Sequence, residues 1–487
     1  MKLSDLLTAK NILITGVTGF VGKVFLLQVL DQFPGVNKIY ILIRSGKRQS
    51  AQERFLSLQT TPSFLHLKHE KPSFGTLWNE KVHLIEGDIC QKNIFLDLDQ
   101  RAHLLKEIDI VVNCAAITAF QASFKKAVET NIYGVENLCD FVKQSEKARL
   151  VHTSTAYIAG EKDGYVPEIL QGENSPNGKS FDYETERKWI EGKIEDLINP
   201  SQTNHEDDPK MIGIERARQW GWLNTYIYTK ALGEKTIQRN LSPEQFSIVR
   251  PSIIESSVQF PMAGWNEGLN TTGTFLYLNQ QGYRFFVAEP QNTIDIIPVD
   301  IVTSTLLAVC GAVLTGHHQP VYHIGTSDSS PLMIETFKEY CYHWLKESKQ
   351  ASGFFPRLMF SIKPRLVKPK SLFTATGLLI KFEKFCSFFE KWHLKIQTFH
   401  FLKLLKKKLA VMSMTETAFQ DFSYYHTYIF ENKNRMMLCY DDFHNHQKTI
   451  QDWRAYCFEK HLPGLNQWVF NHLPKILQTQ DATETSP

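Results

Sequence analysis

The stretch Asn11-Ile12-Leu13-Ile14-Thr15-Gly16-Val17-Thr18-Gly19-Phe20-Val21-Gly22 passes from a short β-branched apolar run straight into three glycines spaced three apart. A buried strand that turns at once into a helix is the context in which such glycines acquire a purpose. Gly16 permits the tight turn, Gly19 lets the backbone approach a pyrophosphate, and Gly22 allows close helix-to-strand packing. The helix opening at Phe20 and Val21 offers free N–H groups and a positive dipole to phosphate oxygens. A dinucleotide site is therefore expected over Gly16, Thr18, Gly19, Phe20, Val21 and Gly22.

Working outward, "KIYILIR", "KVHLIEGD", "DIVVNCAA", "RLVHTSTA" and "FSIVRPS" are similar apolar runs, each ending in Gly, Pro or polar residues. They read as buried parallel strands. Helical patterns such as "KVFLLQVLDQF", "FKKAVETNIYGVENLCDFVKQS" and "YTKALGEKTIQRN" lie between them. This alternation predicts an α/β fold, a Rossmann-type doubly wound parallel sheet. Residues 161–217 break the rhythm with polar, charged sequence, and are read as an insertion or lid whose only regular part is the helix "YETERKWIEGKIEDLI". After about Ser330 the alternation ends and the pattern becomes mostly helical.

The length of 487 residues, with 43% hydrophobic content, predicts more than one unit, and a net charge of +3 lacks the strongly basic footprint of a nucleic-acid binder. The eight cysteines are scattered, without a Cys-x-x-Cys pair, which argues for reduced thiols, a cytoplasmic setting and no metal site. No secretory signal is visible, and Ile301 to Gly316 is too short to span a bilayer and reads as a buried helix. The segment "LLIKFEKFCSFFEKWHLKIQTFHFLKLLKKKLAVM" interleaves lysines with large apolar residues. It suits either an anionic membrane surface, giving peripheral association, or a helix packed on the rest of the chain with its lysines in water.

The strand "KIYILIR" ends in Arg44, with Lys47 and Arg48 just after, where an NAD-binding chain usually places a carboxylate. Cations there favour the extra phosphate of NADPH, and Arg44 can grip it with two charge-assisted hydrogen bonds. Further strand ends supply Asp88 and Ile89 for adenine, Asn113, Ala115 and Ala116 for the nicotinamide half, and Pro251 and Ile253. Asn131 is expected to tie a helix to a strand, and Cys114 to be an inert packed thiol.

Tyr226 and Lys230 share one helix face. The chain holds three Tyr-x-x-x-Lys pairs, and Tyr342/Lys346 and Tyr456/Lys460 lie outside the strand-rich region, so location selects Tyr226/Lys230. A hydride delivered to a carbonyl leaves charge on oxygen, which a phenol can neutralise by giving its proton while a hydroxyl donates a second hydrogen bond. Thr155, ahead of Ser154, is the candidate hydroxyl. Lys230 is expected to lower the phenol pKa and hold the cofactor ribose, and Tyr228 to serve as packing. On these assignments residues 1–345 form an NADP-binding catalytic domain, 346–375 a linker, and 376–487 a helical C-terminal domain.

With these residues in place the chain resembles the fatty acyl-CoA reductases, an extended branch of the short-chain dehydrogenase/reductase superfamily. The matching pieces include "ILITGVTGFVGKVFL", "ILIRSGKRQSAQERF", "HTSTAYIAG", "NTYIYTKALGEK", "IVRPSII" and "PMAGWNEGLN", in order. The tail from "FSYYHTYIFENKNRMMLCYDDF" onward matches the family's C-terminal domain more loosely. The resemblance implies NADPH-dependent reduction of a long-chain acyl-CoA through the aldehyde to a primary alcohol, with the acyl chain under the insertion and the C-terminal part. The chain departs from the family at Ile158-Ala159-Gly160, where members often carry Asn. Other readings are an extended-family enzyme acting on a sterol or nucleotide sugar, an aldehyde-releasing thioester reductase, and a non-catalytic nucleotide sensor, against which the complete Thr155/Tyr226/Lys230 set weighs.

Overall fold

A computed structural model describes residues 1–94, 97–120, 122–199, 208–269, 271–348, 362–371, 373–390, 409, 412–413, 416 and 419–472. Seven strands form the central sheet: Asn11–Thr15 (β1), Lys38–Ile43 (β2), Val82–Glu86 (β3), Ile110–Asn113 (β4), Arg149–Thr153 (β5), Phe246–Pro251 (β6) and Val321–Ile324 (β7). Their order is β7-β6-β5-β4-β1-β2-β3, all parallel. The six apolar runs are thus all strands, and the order reverses direction between β1 and β4. A crevice opens there beyond the strand ends, which is where ligands bind in such sheets. The seventh strand, Val-Tyr-His-Ile, carries no apolar run. Its Tyr322 and His323 are buried because they sit between β6 and the C-terminal chain.

Four helices position the site: Phe20–Gln32 (α1), Tyr183–Ile198 (α2), Pro209–Gln219 (α3) and Thr225–Asn240 (α4). A fifth, Val299–Thr315 (α5), is the long uncharged stretch, and it is buried along nearly its whole length against α1 and the sheet. None of the described helices is long and apolar enough to cross a membrane.

The insertion is more regular than its polarity implied. Besides α2 it holds α3, started by Asp208, whose carboxylate accepts from the N–H of Lys210, and by Pro209 at the first turn. Only Ile212, Gly213 and Ala217 of α3 are buried, too sparse a stripe to read from sequence. The insertion also contains the strand Gly164–Val166, whose parallel partner, Tyr428–Phe430, lies far along the chain.

This pairing welds the tail to the catalytic core. Tyr157, Trp222 and Tyr228 share one apolar cluster with Val166, Tyr428 and Phe430. Leu438, Tyr440 and Phe443 join the cluster of β1, β2 and α5, where the Tyr440 hydroxyl donates to the carbonyl of Ala308 at 2.6 Å. Position 346, the expected start of a linker, falls inside the helix Ile334–Ser348, and Arg365–Val367 pairs with Phe285–Val287. Most of the basic amphipathic segment lies outside the described residues.

Phe430 is fully buried, with its ring against Tyr157 and Tyr428. Phe430→Ala should therefore lower the unfolding free energy by about 3–5 kcal/mol. Denaturant titration is expected to show the loss in the same transition that unfolds the sheet, and a separate early transition for the tail would contradict the weld.

Candidate active site

Gly16 adopts φ +74°, and a Cβ there would lie 2.5 Å from Ala115 N and from the carbonyl carbon of Cys114. At Gly22 a Cβ would meet the Gly16 carbonyl oxygen at 2.4 Å. Both obstacles are backbone, so neither can yield. Gly19 differs: its Cβ would have Gly16 O, at 3.4 Å, as its only neighbour within 4 Å, leaving its outer side open. The loop therefore presses against β4 on one face and presents bare backbone and the start of α1 on the other, the shape and polarity a pyrophosphate requires.

A cavity of about 730 Å³ joins this loop to the proposed proton-transfer residues. Gly16, Gly19, Phe20, Val21, Gly22 and Ala116 line it together with Thr155, Tyr226 and Ile253. Phe120, Tyr157, Leu269, Phe419 and Phe422 supply an apolar wall. The ring of Phe120 lies 6.3 Å from that of Tyr226, nearly parallel, and 5.6 Å from that of Phe422.

Burial pushes the Tyr226 phenol up to about 12, opposed by the neighbouring Thr155 hydroxyl, and the lowering expected of Lys230 is not seen. Thr155, two residues past the end of β5, is placed by the approach of its hydroxyl to the carbonyl of Pro251, 3.5 Å away. Pro251 itself lies at the end of β6, behind the cavity wall. The hydroxyl of Ser154 is buried away from the cavity and has no partner among the described residues. Of the two candidate hydroxyls, then, Thr155 faces the phenol.

Lys230 is fully buried. Its Nζ donates to the carbonyl of Thr153 at 2.6 Å and lies 3.1 Å from Nε2 of His152. Burial pulls its pKa down to about 8, opposed by Glu234 and Cys114. Tyr228 points elsewhere, as expected, its hydroxyl donating to Glu186 inside the insertion. Asn131 bridges both polar atoms of Ile117 and the hydroxyl of Thr229, so it ties the loop after β4 to α4. The thiol of Cys114 is pushed up to about 11 by burial and is not a nucleophile at neutral pH.

Beside the cations expected to receive a phosphate stands one that the sequence reading missed. Arg44 is exposed at the end of β2 with its Nη1 3.4 Å from Asp88, and Lys47 and Arg48 stand exposed in the following loop. Arg54 reaches back from the helix Ala51–Leu58, donating to the carbonyl of Arg44 at 2.6 Å and to the hydroxyl of Thr18 at 3.1 Å. Its guanidinium thus joins the glycine loop to the end of β2. The available signal was its place in the first turns of a helix whose capping box, Ser50 and Glu53, is visible in the sequence. Ile89 is buried beside Asp88.

Asn113 and Ala115 act differently from expectation. The side chain of Asn113 is fully buried and bonded to Thr15, Ala115 N–H and His152, so it faces the interior rather than the cavity. Two further side chains, unforeseen, line the cavity: Ser252, whose hydroxyl has no partner among the described residues, and Glu267, paired with Lys23 of α1 at 2.7 Å.

A glycine cradle and the Tyr226 phenol share one cavity, while Lys230, expected to hold the cofactor ribose, lies behind its wall against Thr153 and His152; the cradle and phenol together define a nicotinamide-dependent oxidoreductase. The family model described as male sterility protein matches residues 14–306. An alcohol-forming fatty acyl-CoA reductase of Simmondsia chinensis is 33% identical over 71% of this chain and 73% of its own. Fatty acyl-CoA reductase 8 of Arabidopsis thaliana is 28% identical over 94% of this chain and 96% of its own. The chain belongs to the fatty acyl-CoA reductase family. The fold is shared with a thiolation-reductase di-domain from an archaeal non-ribosomal peptide synthetase, at a TM-score of 0.55 and 16% identity over 98% of this chain and 79% of that one.

Because the carbonyl facing Gly22 cannot retreat, Gly22→Ala is expected to weaken dinucleotide binding at least about tenfold, near 1.4 kcal/mol. Fluorescence titration with the reduced dinucleotide reads this directly, and unchanged binding by a folded variant would contradict the cradle.

Proposed function

We propose that the protein reduces a long-chain acyl-CoA with NADPH, through the aldehyde, to a primary fatty alcohol with release of CoA. The observation that carries this reading is that Thr155 and Tyr226 line one cavity together with the glycine cradle and an aromatic wall. The alcohol-forming activity named for the Simmondsia relative supports the product.

The bound dinucleotide supplies the hydride. Tyr226 gives its phenolic proton to the oxygen on which charge develops, and Thr155 donates a second hydrogen bond there. Lys230 restores the proton to Tyr226. Phe120, Phe419, Phe422 and Leu269 exclude water and hold the alkyl chain. Gly16, Thr18, Gly19, Phe20, Val21 and Gly22 hold the pyrophosphate, Asp88 and Ile89 face the adenine, and Ala116 and Ile253 border the nicotinamide. Arg44, Arg54 and Lys47 favour NADPH by receiving its additional phosphate. The exposed Leu378 and Ile380, at the start of the basic amphipathic segment, support peripheral contact of a cytoplasmic enzyme with membranes.

Tyr226→Phe is expected to cut turnover by at least about 10²-fold with NADPH binding kept. Near-normal activity would remove Tyr226 from the mechanism. Arg54→Ala and Arg44→Ala should each weaken NADPH more than NADH, whereas equal losses would contradict the phosphate role. With palmitoyl-CoA as substrate, two NADPH should be consumed per CoA released, and the lipid identified by mass spectrometry should be hexadecanol. A ratio of one, with aldehyde accumulating, would overturn the alcohol product.

A further inference from the structure

Behind Lys230 runs a chain of buried polar groups that the reaction as described does not use. Thr15 of β1, Asn113 of β4 and His152 of β5 lie side by side on three adjacent strands and end at the amine of Lys230 on α4. Thr15, Asn113, His152 and Lys230 are all at least nine-tenths buried.

The direction of every bond in this chain follows from one backbone group. The N–H of Ala115 can only donate, and it lies 3.1 Å from Oδ1 of Asn113 and 3.3 Å from Oγ1 of Thr15. Oδ1 also accepts from the Thr15 hydroxyl at 2.6 Å, which turns the Asn113 amide nitrogen toward His152. That nitrogen can only donate, so Nδ1 of His152, 3.0 Å away, is the bare, accepting nitrogen. Burial and the neighbouring Lys230 hold the imidazole pKa well below its usual value, so the ring is neutral and its single proton is on Nε2. Nε2 faces Nζ of Lys230 at 3.1 Å, and Nζ already donates to the carbonyl of Thr153. An N–H can bond to that nitrogen only through the lone pair of a neutral amine.

We propose that His152 is a positioning residue whose Nε2–H bonds the lone pair of Lys230, stabilising the neutral amine left when Lys230 has returned a proton to Tyr226. This rests on the reading of Tyr226 and Lys230 as the proton-transfer pair. The proton count closes. The Tyr226 O–H bond breaks as the substrate oxygen gains its proton, a Lys230 N–H bond breaks as the phenolate regains one, and the amine is reprotonated from water. In the ammonium state the Nε2–H of His152 opposes an N–H, so His152 makes Lys230 a stronger acid. The other groups around the pair do not imitate this. Glu234 on α4 favours the ammonium but is tied to Arg250 of β6 at 2.6 Å. Cys114, after β4, also favours the ammonium, and the thiol of Cys310 on α5 sits beside it.

Two measurements on the full chain test the bond without relying on turnover. Long-range ¹H–¹⁵N spectra of histidine-labelled protein should show Nε2 protonated and Nδ1 bare in His152, and a proton on Nδ1 would overturn the proposal. In ¹³C-lysine-labelled protein, with the Lys230 signal assigned by Lys230→Met, the amine should titrate higher in His152→Phe. Asn113→Leu, which frees the ring to present a bare nitrogen to the ammonium, should act in the same direction. The rise should be roughly one pH unit, the size of one buried hydrogen bond, with the alkaline limb of the kcat profile moving alike. A His152 that merely filled space would lower the melting temperature and leave the titration unmoved. A Lys230 titration that falls or stays still in both variants overturns the bond. If neither variant folds, the wild-type tautomer decides alone. Full turnover by Lys230→Met would sink the proton-transfer reading instead, so the two failures are separable.

Discussion

The contact between the carbonyl of Gly16 and the α-carbon of Gly22 sets the geometry of the site. No side chain can stand between them, so the first turn of α1 sits directly on the end of β1, and the loop is pinned against Cys114 and Ala115 of the neighbouring strand end. The sheet order reverses at that pair of strands, which opens the crevice beyond them. The cradle side of the cavity takes its position from this approach.

Burial acts on the two titratable partners in opposite senses. Desolvation penalises whichever form is charged, so it raises the phenol of Tyr226 to about 12 and lowers the ammonium of Lys230 to about 8. In water a lysine ammonium is a slightly weaker acid than a tyrosine phenol. Inside this site burial moves the two groups in opposite directions, so the Lys230 ammonium becomes the stronger acid. An acid strengthened by desolvation can thus recharge another weakened by it, whereas an ammonium close to the phenol would weaken the drive by stabilising phenolate.

What the sequence displayed depended on whether a feature was local. The six long strands, the glycine cradle, α1, α2, α4 and the placing of Tyr226 and Lys230 on α4 could be read, because each is fixed by neighbours within a turn or by its place in the strand-helix alternation. The pairing of Gly164–Val166 with Tyr428–Phe430 could not, since three-residue strands carry no periodicity and their partner is remote. Asn113 was legible as a residue at a strand end but not as to which way it faced. That direction is set by Thr15 on one adjacent strand and His152 on the other. His152 itself, inside an apolar run, reads as one more core residue until β4 and α4 are brought beside it.

The aromatic wall explains why the C-terminal part of the chain is built into the core. Phe419 and Phe422 approach Phe120, which covers the ring of Tyr226, and Phe422 also meets Tyr157 edge-on. Without them the phenol would open to water, its pKa would relax toward that of free tyrosine, and the inverted acid order would shrink with it. The strand Tyr428–Phe430, a few residues on, anchors this segment against the insertion and the Tyr157 cluster. The remote part of the chain therefore contributes dryness, and dryness is the quantity on which the raised phenol of Tyr226 and the proposed alkyl-chain site both depend.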